Sequence, residues 1–180
     1  MNVTVFGSSS PRPGQASYAE AQRLGELLAA AGYYVLTGGY TGTMEAASRG
    51  AAEAGGLTIG ITCAEIEAWR PGSANLWVLQ ERRLPTLRER LYDLIESCDA
   101  ALALPGGIGT LAEIAVMWSQ MQTNSMPVRP LILIGDAWHR TFQGLFSGQD
   151  SHIRAEHRQL LSFAPDVDLA FALLQKALKG

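Results

Sequence analysis

The sequence is short of several residue types on which whole classes of chemistry depend. Cysteine occurs twice, at Cys63 and Cys98, too few and too isolated for a disulfide framework or a zinc site, so each reads as a small core hydrophobe. Lysine also occurs only twice, at Lys176 and Lys179 in the last turn of the chain, far in sequence from every glycine-rich loop. Schiff-base chemistry needs a pocket lysine, and the count of two, both at the end of the sequence, nearly excludes it. The three histidines, His139, His152 and His157, show no metal-ligand spacing and fall in a polar stretch, so no metal site is expected. No cationic, apolar and small-residue leader opens the chain, and no apolar run approaches the ~18 residues that span a bilayer. A cytoplasmic protein without a membrane partner is the expectation. Basic residues are too sparse to form a nucleic-acid face: the net charge is -3 and the pI about 5.6. An anionic ligand would have to be held locally.

Apolar residues and glycine are abundant. With 180 residues, 47% hydrophobic and 17% charged, the chain reads as one domain spanning 1–180 that buries about 70% of its unfolded surface. Apolar runs alternate with helical periodicity. Strands are expected at Val3–Phe6, Tyr33–Leu36, Leu57–Ile61, Leu76–Leu79, Ala100–Leu104 and Leu131–Ile134. Helices are expected at Tyr18–Ala31, Thr43–Ala54, around Arg90, at Thr110–Met121 and at Val167–Leu178, with a loop over 64–74. Continuous apolar strands separated by helices imply an α/β fold, a Rossmann-like doubly wound parallel sheet with helices on both faces.

The densest signal lies at Pro105-Gly106-Gly107-Ile108-Gly109-Thr110-Leu111-Ala112-Glu113, a glycine-rich turn after an apolar strand and before a helix. Gly106, Gly107 and Gly109 let backbone N–H groups approach an anion, and the helix dipole points at the same spot. The same residues fit a plainer reading, in which Thr110 and Glu113 form a capping box. Gly7, Ser8, Ser9 and Ser10 follow the first strand, and Gly38-Gly39-Tyr40-Thr41-Gly42-Thr43-Met44 follow the second. In a doubly wound sheet, turns after several strands converge on one crevice. Taken singly, Ser8, Ser9 and Thr43 serve equally well as turn or helix caps. On a helix holding Leu84, Leu87, Leu91, Leu94 and Cys98 in one stripe, Arg90 lies about 85° from its centre, at a pocket rim. A surface arginine paired with Glu89, Asp93 or Glu96 is the alternative there.

Pro-Gly-Gly-x-Gly-Thr-x-x-Glu with a preceding helix arginine resembles the signature of the LOG ("lonely guy") family, cytokinin riboside 5'-monophosphate phosphoribohydrolases once labelled lysine decarboxylases. The resemblance extends to Val3–Ser10 and Gly38–Met44. It implies Arg90 and Glu113 as catalytic residues, and Gly7, Ser8, Gly39, Gly42, Thr43, Met44, Gly106, Gly107, Gly109 and Thr110 as substrate- and phosphate-binding residues. It implies no cofactor and no metal. The chain departs from the family pattern at Tyr40, where a third glycine is common, and at Leu87-Arg88, where Met-His is common. It departs again at Leu91, where a lysine is common, and at Val116 and Met117, where many members add a second acid. These changes bear on the base more than on the core chemistry.

The resulting expectation is hydrolysis of the N-glycosidic bond of a nucleoside 5'-monophosphate, with N6-modified adenine nucleotides as leading substrates. The alternative is a protein of the same fold that binds or carries a nucleotide or phosphorylated cofactor without turning it over. A homodimer is expected from the family resemblance and from the helix after Thr110, where Leu111, Ile114, Ala115, Trp118 and Met121 form one apolar face while Val116 and Met117 lie off it.

Overall fold

In the computed structural model, which describes residues 1–70, 72–150 and 152–179, seven parallel strands form one sheet in the order β4-β3-β2-β1-β5-β6-β7. The strands are β1 (Asn2–Phe6), β2 (Tyr34–Thr37), β3 (Thr58–Cys63), β4 (Gln80–Leu84), β5 (Ala100–Ala103), β6 (Leu131–Ile134) and β7 (Ser162–Ala164). The helices are α1 (Ala16–Ala30), α2 (Thr43–Glu53), α3 (Ala64–Trp69), α4 (Leu87–Glu96), α5 (Ile108–Gln122), α6 (Asp136–Gly148), α7 (Ala155–Arg158) and α8 (Val167–Lys179). No helix among the described residues is long and apolar enough to cross a membrane.

Alternation along each strand divides the core in two. Val3 and Val5 point into a cluster with Leu24 and Leu28 of α1, Ala47 of α2 and Leu174 of α8. Phe6 points the other way, toward Leu94 of α4, Ile114 and Met117 of α5 and Phe142 of α6. Thr4 shares Phe6's face, and its buried hydroxyl donates to the Leu94 carbonyl at 2.9 Å, which satisfies it without water. Helices thus cover both faces, as continuous apolar strands require.

Strand order reverses at β1, which pairs with β2 on one side and β5 on the other. That is the switch point where the ends of two neighbouring strands diverge to opposite faces and leave a crevice. Gly7–Ser10 leave β1 and Pro105–Gly107 leave β5 beside each other at this point. The end of β5 is pinned by Trp138 of α6, whose indole N–H donates to the Leu104 carbonyl at 3.0 Å.

Several sequence expectations need correction. The strand expected at Leu76–Leu79 lies at Gln80–Leu84, where Leu84 belongs to the sheet and not to the Arg90 helix. An edge strand exposes one side and carries charges, so its apolar signal is weak. The loop expected over 64–74 begins with α3. The stripe through Leu87, Leu91 and Leu94 is displaced, because α4 starts after Thr86 and buries Arg90, Leu94 and Ile95 while Leu87 stays 50% exposed. On α5, Met117 is fully buried and Ala115 exposed; Leu111, Val116 and Trp118 pack partly against the chain's own core. Most of that helix's apolar width is therefore used inside the chain.

Candidate functional site

A cleft of about 350 Å³ opens at the switch point, lined by Gly7–Ser10, Tyr40, Met44, Ile66, Trp69, Arg70, Arg90, Gly107–Thr110 and Glu113. Three larger concavities lie elsewhere, between α6 and β7, beside β6 and along the outer side of α4. None of them gathers glycine turns, a buried arginine and a carboxylate as this one does.

Helix α5 starts two residues earlier than its sequence suggests. Gly107 is the N-cap in extended conformation and makes no side-chain cap. Thr110 and Glu113 therefore sit inside the helix, and the capping box expected there does not form. The first helical bond runs from Leu111 N to the Gly107 carbonyl at 3.0 Å. Hence the N–H groups of Ile108, Gly109 and Thr110 have no backbone acceptor among the described residues and face the cleft mouth with the positive end of the helix dipole. A Cβ at Gly107 or Gly109 would meet open space, whereas one at Gly106 would collide with the Thr110 side chain. Gly106 is thus a packing glycine, and Gly107 and Gly109 are the ones that keep the cleft wall bare.

The other two turns divide in the same manner. Ser8 lines the cleft; its Oγ accepts from Ser10 N at 3.1 Å and its carbonyl accepts from both Thr43 N and Thr43 Oγ1. Thr43 is buried and spent on that contact, and Gly42, at φ +79°, abuts the backbone of Ser8 and Ser9. Gly7 packs against Thr43. Gly39, at φ +79°, packs against Thr62 and gives its carbonyl to Asn75. Of the ten residues expected to bind substrate or phosphate, Gly7, Ser8, Met44, Gly107, Gly109 and Thr110 line the cleft. Gly39, Gly42, Thr43 and Gly106 shape its walls from behind or fall outside its lining.

Arg90 lies in the cleft floor and not at its rim, 6% exposed. Its Nε donates to the Ile61 carbonyl at 2.7 Å and its Nη2 to the Gly38 carbonyl at 3.0 Å. The Tyr40 ring centre is 5.5 Å from the guanidinium carbon, within cation–π range. No carboxylate pairs with Arg90 among the described residues, although Arg82 and Arg83 are paired with Asp93 and Glu67. A buried arginine with no ionic partner is a charge awaiting an anion or a developing negative charge.

Glu113 lies on the first turns of α5, half-buried in the same cleft, with no hydrogen bond inside the chain among the described residues. Burial pushes its carboxyl up to about 7, against the opposing pull of Arg90. A carboxyl at that value passes protons near neutral pH, as a general base or acid must. Tyr40, where a third glycine is common in the LOG family, fills the space between these groups and β3. Its hydroxyl donates to the Cys63 carbonyl at 3.1 Å and accepts from Cys63 N at 2.9 Å, so the ring is fixed. Sequence reasoning missed Ile66, Trp69, Arg70 and Ile108 as cleft residues. The aromatic-arginine pair before Pro71-Gly72 was the available signal for two of them.

A family model described as the SLOG cluster4 family matches residues 1–150. The chain belongs to this family. The chain is 32% identical over 172 residues to the Oryza sativa subsp. japonica protein named "Probable cytokinin riboside 5'-monophosphate phosphoribohydrolase LOGL9", covering 91% of this chain and 73% of that one. It is 27% identical over 138 residues to the cytokinin riboside 5'-monophosphate phosphoribohydrolase of Rhodococcoides fascians, covering 75% and 68%. Among solved structures, the molybdenum cofactor binding protein from Rippkaea orientalis superposes with a TM-score of 0.77 at 26% identity, covering 98% of this chain and 96% of that one. The SLOG-type α/β fold, all-parallel with helices on both faces, is therefore common to proteins named as hydrolases and to a protein named for binding a cofactor.

Proposed function

We propose that this SLOG protein hydrolyses the N-glycosidic bond of a nucleoside 5'-monophosphate, with N6-modified adenosine monophosphates as the leading substrates. The observation that carries this reading is the pairing, in one cleft, of a carboxyl held near neutral pKa with a buried arginine, neither of which has an ionic or side-chain hydrogen-bond partner of opposite charge among the described residues. The phosphate would sit on the N–H groups of Ile108, Gly109 and Thr110 beside Ser8, where the helix dipole and bare glycine backbone favour an anion. As the bond between C1' and the base nitrogen lengthens, the ribose becomes an oxocarbenium ion. The ionised Glu113 stabilises that cation and takes a proton from the attacking water, whose oxygen bonds to C1'. The bonding pair leaves with the base, which takes a proton from solvent to become the neutral free base, while Glu113 releases the water's proton to solvent and is again ionised; ribose 5-phosphate is the other product. Arg90, with Nη1 uncommitted among the described residues, orients the substrate or steadies the negative charge that develops on the departing base.

A second reading is favoured by the full-length match to a molybdenum cofactor binding protein. In that case the same amide cradle and Arg90 would hold a phosphorylated cofactor, and Glu113 would perform no chemistry. Incubation with nucleoside monophosphates, nucleosides and diphosphates, followed by chromatography for free base, separates the two. Base released from monophosphates alone supports hydrolysis; ligand bound and recovered intact supports carriage. We also propose that the protein is a cytoplasmic homodimer. A monomeric mass by light scattering at micromolar concentration would overturn the dimer.

A further inference from the structure

Among the described residues, Ile108 and Trp69 are the most exposed large apolar side chains after Leu76, at 81% and 80%. Both line the candidate cleft, from different elements: Ile108 is the first residue of α5 and Trp69 the last of α3. Neither contributes to the two core clusters. Leaving two large apolar groups in water at one cleft opposes folding and solubility, and such exposure marks a surface that something else covers.

Arg70 links this apolar mouth to the polar floor. Its guanidinium carbon lies 6.0 Å from the Trp69 ring centre and 5.9 Å from that of Tyr40, and its Nη1 donates to Ser9 Oγ at 3.2 Å. It forms no salt bridge among the described residues, unlike Arg83, which pairs with Glu67 of the same short helix. The cleft thus offers two kinds of contact: backbone N–H groups and Arg90 for an anion, and an indole, an aliphatic side chain and a stacked arginine for an apolar plane. A ligand with an anionic group and a planar ring uses both.

We infer that Trp69 and Ile108 grip the planar heteroaromatic ring of the ligand, with Arg70 fixing Trp69 against the serine loop, and that this mouth favours phosphorylated ligands that carry such a ring over those that carry none. The inference rests on the reading of the cleft above but not on catalysis. A nucleobase that stacks on indole gains sequence-independent affinity, because every base has a π-face. The fixed Tyr40 ring behind Arg70 makes the mouth one continuous aromatic and cationic wall.

The test uses two probes with the full chain: formycin 5'-monophosphate, whose C-glycosidic bond cannot be hydrolysed, and ribose 5-phosphate, which has no ring system. Calorimetry on wild type and on Trp69→Ala is expected to show formycin 5'-monophosphate weakened about 10- to 100-fold while ribose 5-phosphate changes less than about 2-fold. Trp69→Phe restores most of the affinity. In mild N-bromosuccinimide oxidation mapped by mass spectrometry, Trp69 is modified first and is protected by formycin 5'-monophosphate but not by ribose 5-phosphate. The inference is overturned if Trp69→Ala weakens both ligands equally or neither, or if wild type binds ribose 5-phosphate as tightly as formycin 5'-monophosphate. Failure of the hydrolytic reading shows up separately, as no free base from adenosine monophosphate while the ring-specific loss at Trp69 persists.

Discussion

Arg90 occupies the space that a side chain at Gly38 would fill. A Cβ at position 38 would collide with Nη2 of Arg90 and crowd the Met44 sulfur, while the Gly38 carbonyl accepts from that same Nη2 at 3.0 Å. The second glycine-rich turn therefore seats the arginine, and Gly38 itself lies outside the cleft lining. Gly38→Ala is expected to expel the guanidinium and cut kcat/KM about as severely as Arg90→Ala, roughly 10²-fold or more, with the sheet preserved by circular dichroism. Wild-type turnover in Gly38→Ala would separate Arg90 from the chemistry.

Glu113 gives a pH dependence of definite sign. Burial raises its pKa from the ordinary carboxylate range to about 7. If the ionised form acts, kcat/KM rises with pH through about 7 and then levels. A profile that falls through the same region would make the protonated carboxyl the working form.

The same shift acts on stability. A folded pKa above the unfolded one means that the folded state binds the proton more tightly. The stabilisation is complete below about 4.5, where both states are protonated, and is lost as pH rises to about 7. Glu113→Gln escapes that loss, so at pH 8 it should be more stable than wild type by about 1 to 3 kcal/mol and show little difference at pH 4. Thermal melts at the two pH values check this. A destabilised Glu113→Gln at pH 8 would mean that the residue serves the helix and not the site.

The glycines separate into two classes that substitution distinguishes. Gly42→Ala places a Cβ at φ +79° against the Ser8 and Ser9 backbone, and a fall in melting temperature of several degrees is expected. Gly109→Ala meets open space and lies in a helix, so stability should hold or rise slightly. Its new methyl would stand in the bare wall of the cleft, and the affinity for ribose 5-phosphate should drop. Unchanged affinity would place the phosphate elsewhere.

Much of this architecture is legible in the sequence, and the failures have physical causes. The strands β1, β2, β3, β5 and β6 are continuous apolar runs because the sheet interior is covered on both faces. β4 reads Gln-Glu-Arg-Arg-Leu and β7 is three residues long; both lie at sheet edges, where half of the strand is solvated. Helix α6 carried its own signal in Trp138, Phe142 and Phe146, spaced four apart and all buried. Three Thr-x-x-Glu patterns occur, at Thr62, Thr86 and Thr110, and the one that caps is Thr86–Glu89, where Thr86 is extended and both reciprocal hydrogen bonds form. At Thr110 the preceding glycines let the helix begin earlier, and the pattern became interior. The convergence of the Gly7, Gly38 and Gly106 turns followed from strand order, but the apolar mouth at Trp69 and Ile108 did not. Exposed apolar residues carry no periodicity that distinguishes a ligand wall from a loop.

The most direct measurement of the central proposal is the product balance on N6-isopentenyladenosine 5'-monophosphate for wild type and Glu113→Gln at pH 8. The account predicts free base and ribose 5-phosphate in equal amounts from wild type, with Glu113→Gln slower by about 10²-fold or more although folded and able to bind the nucleotide. Wild type and Glu113→Gln that both bind the nucleotide and return it uncleaved would contradict it and make the cleft a carrier site.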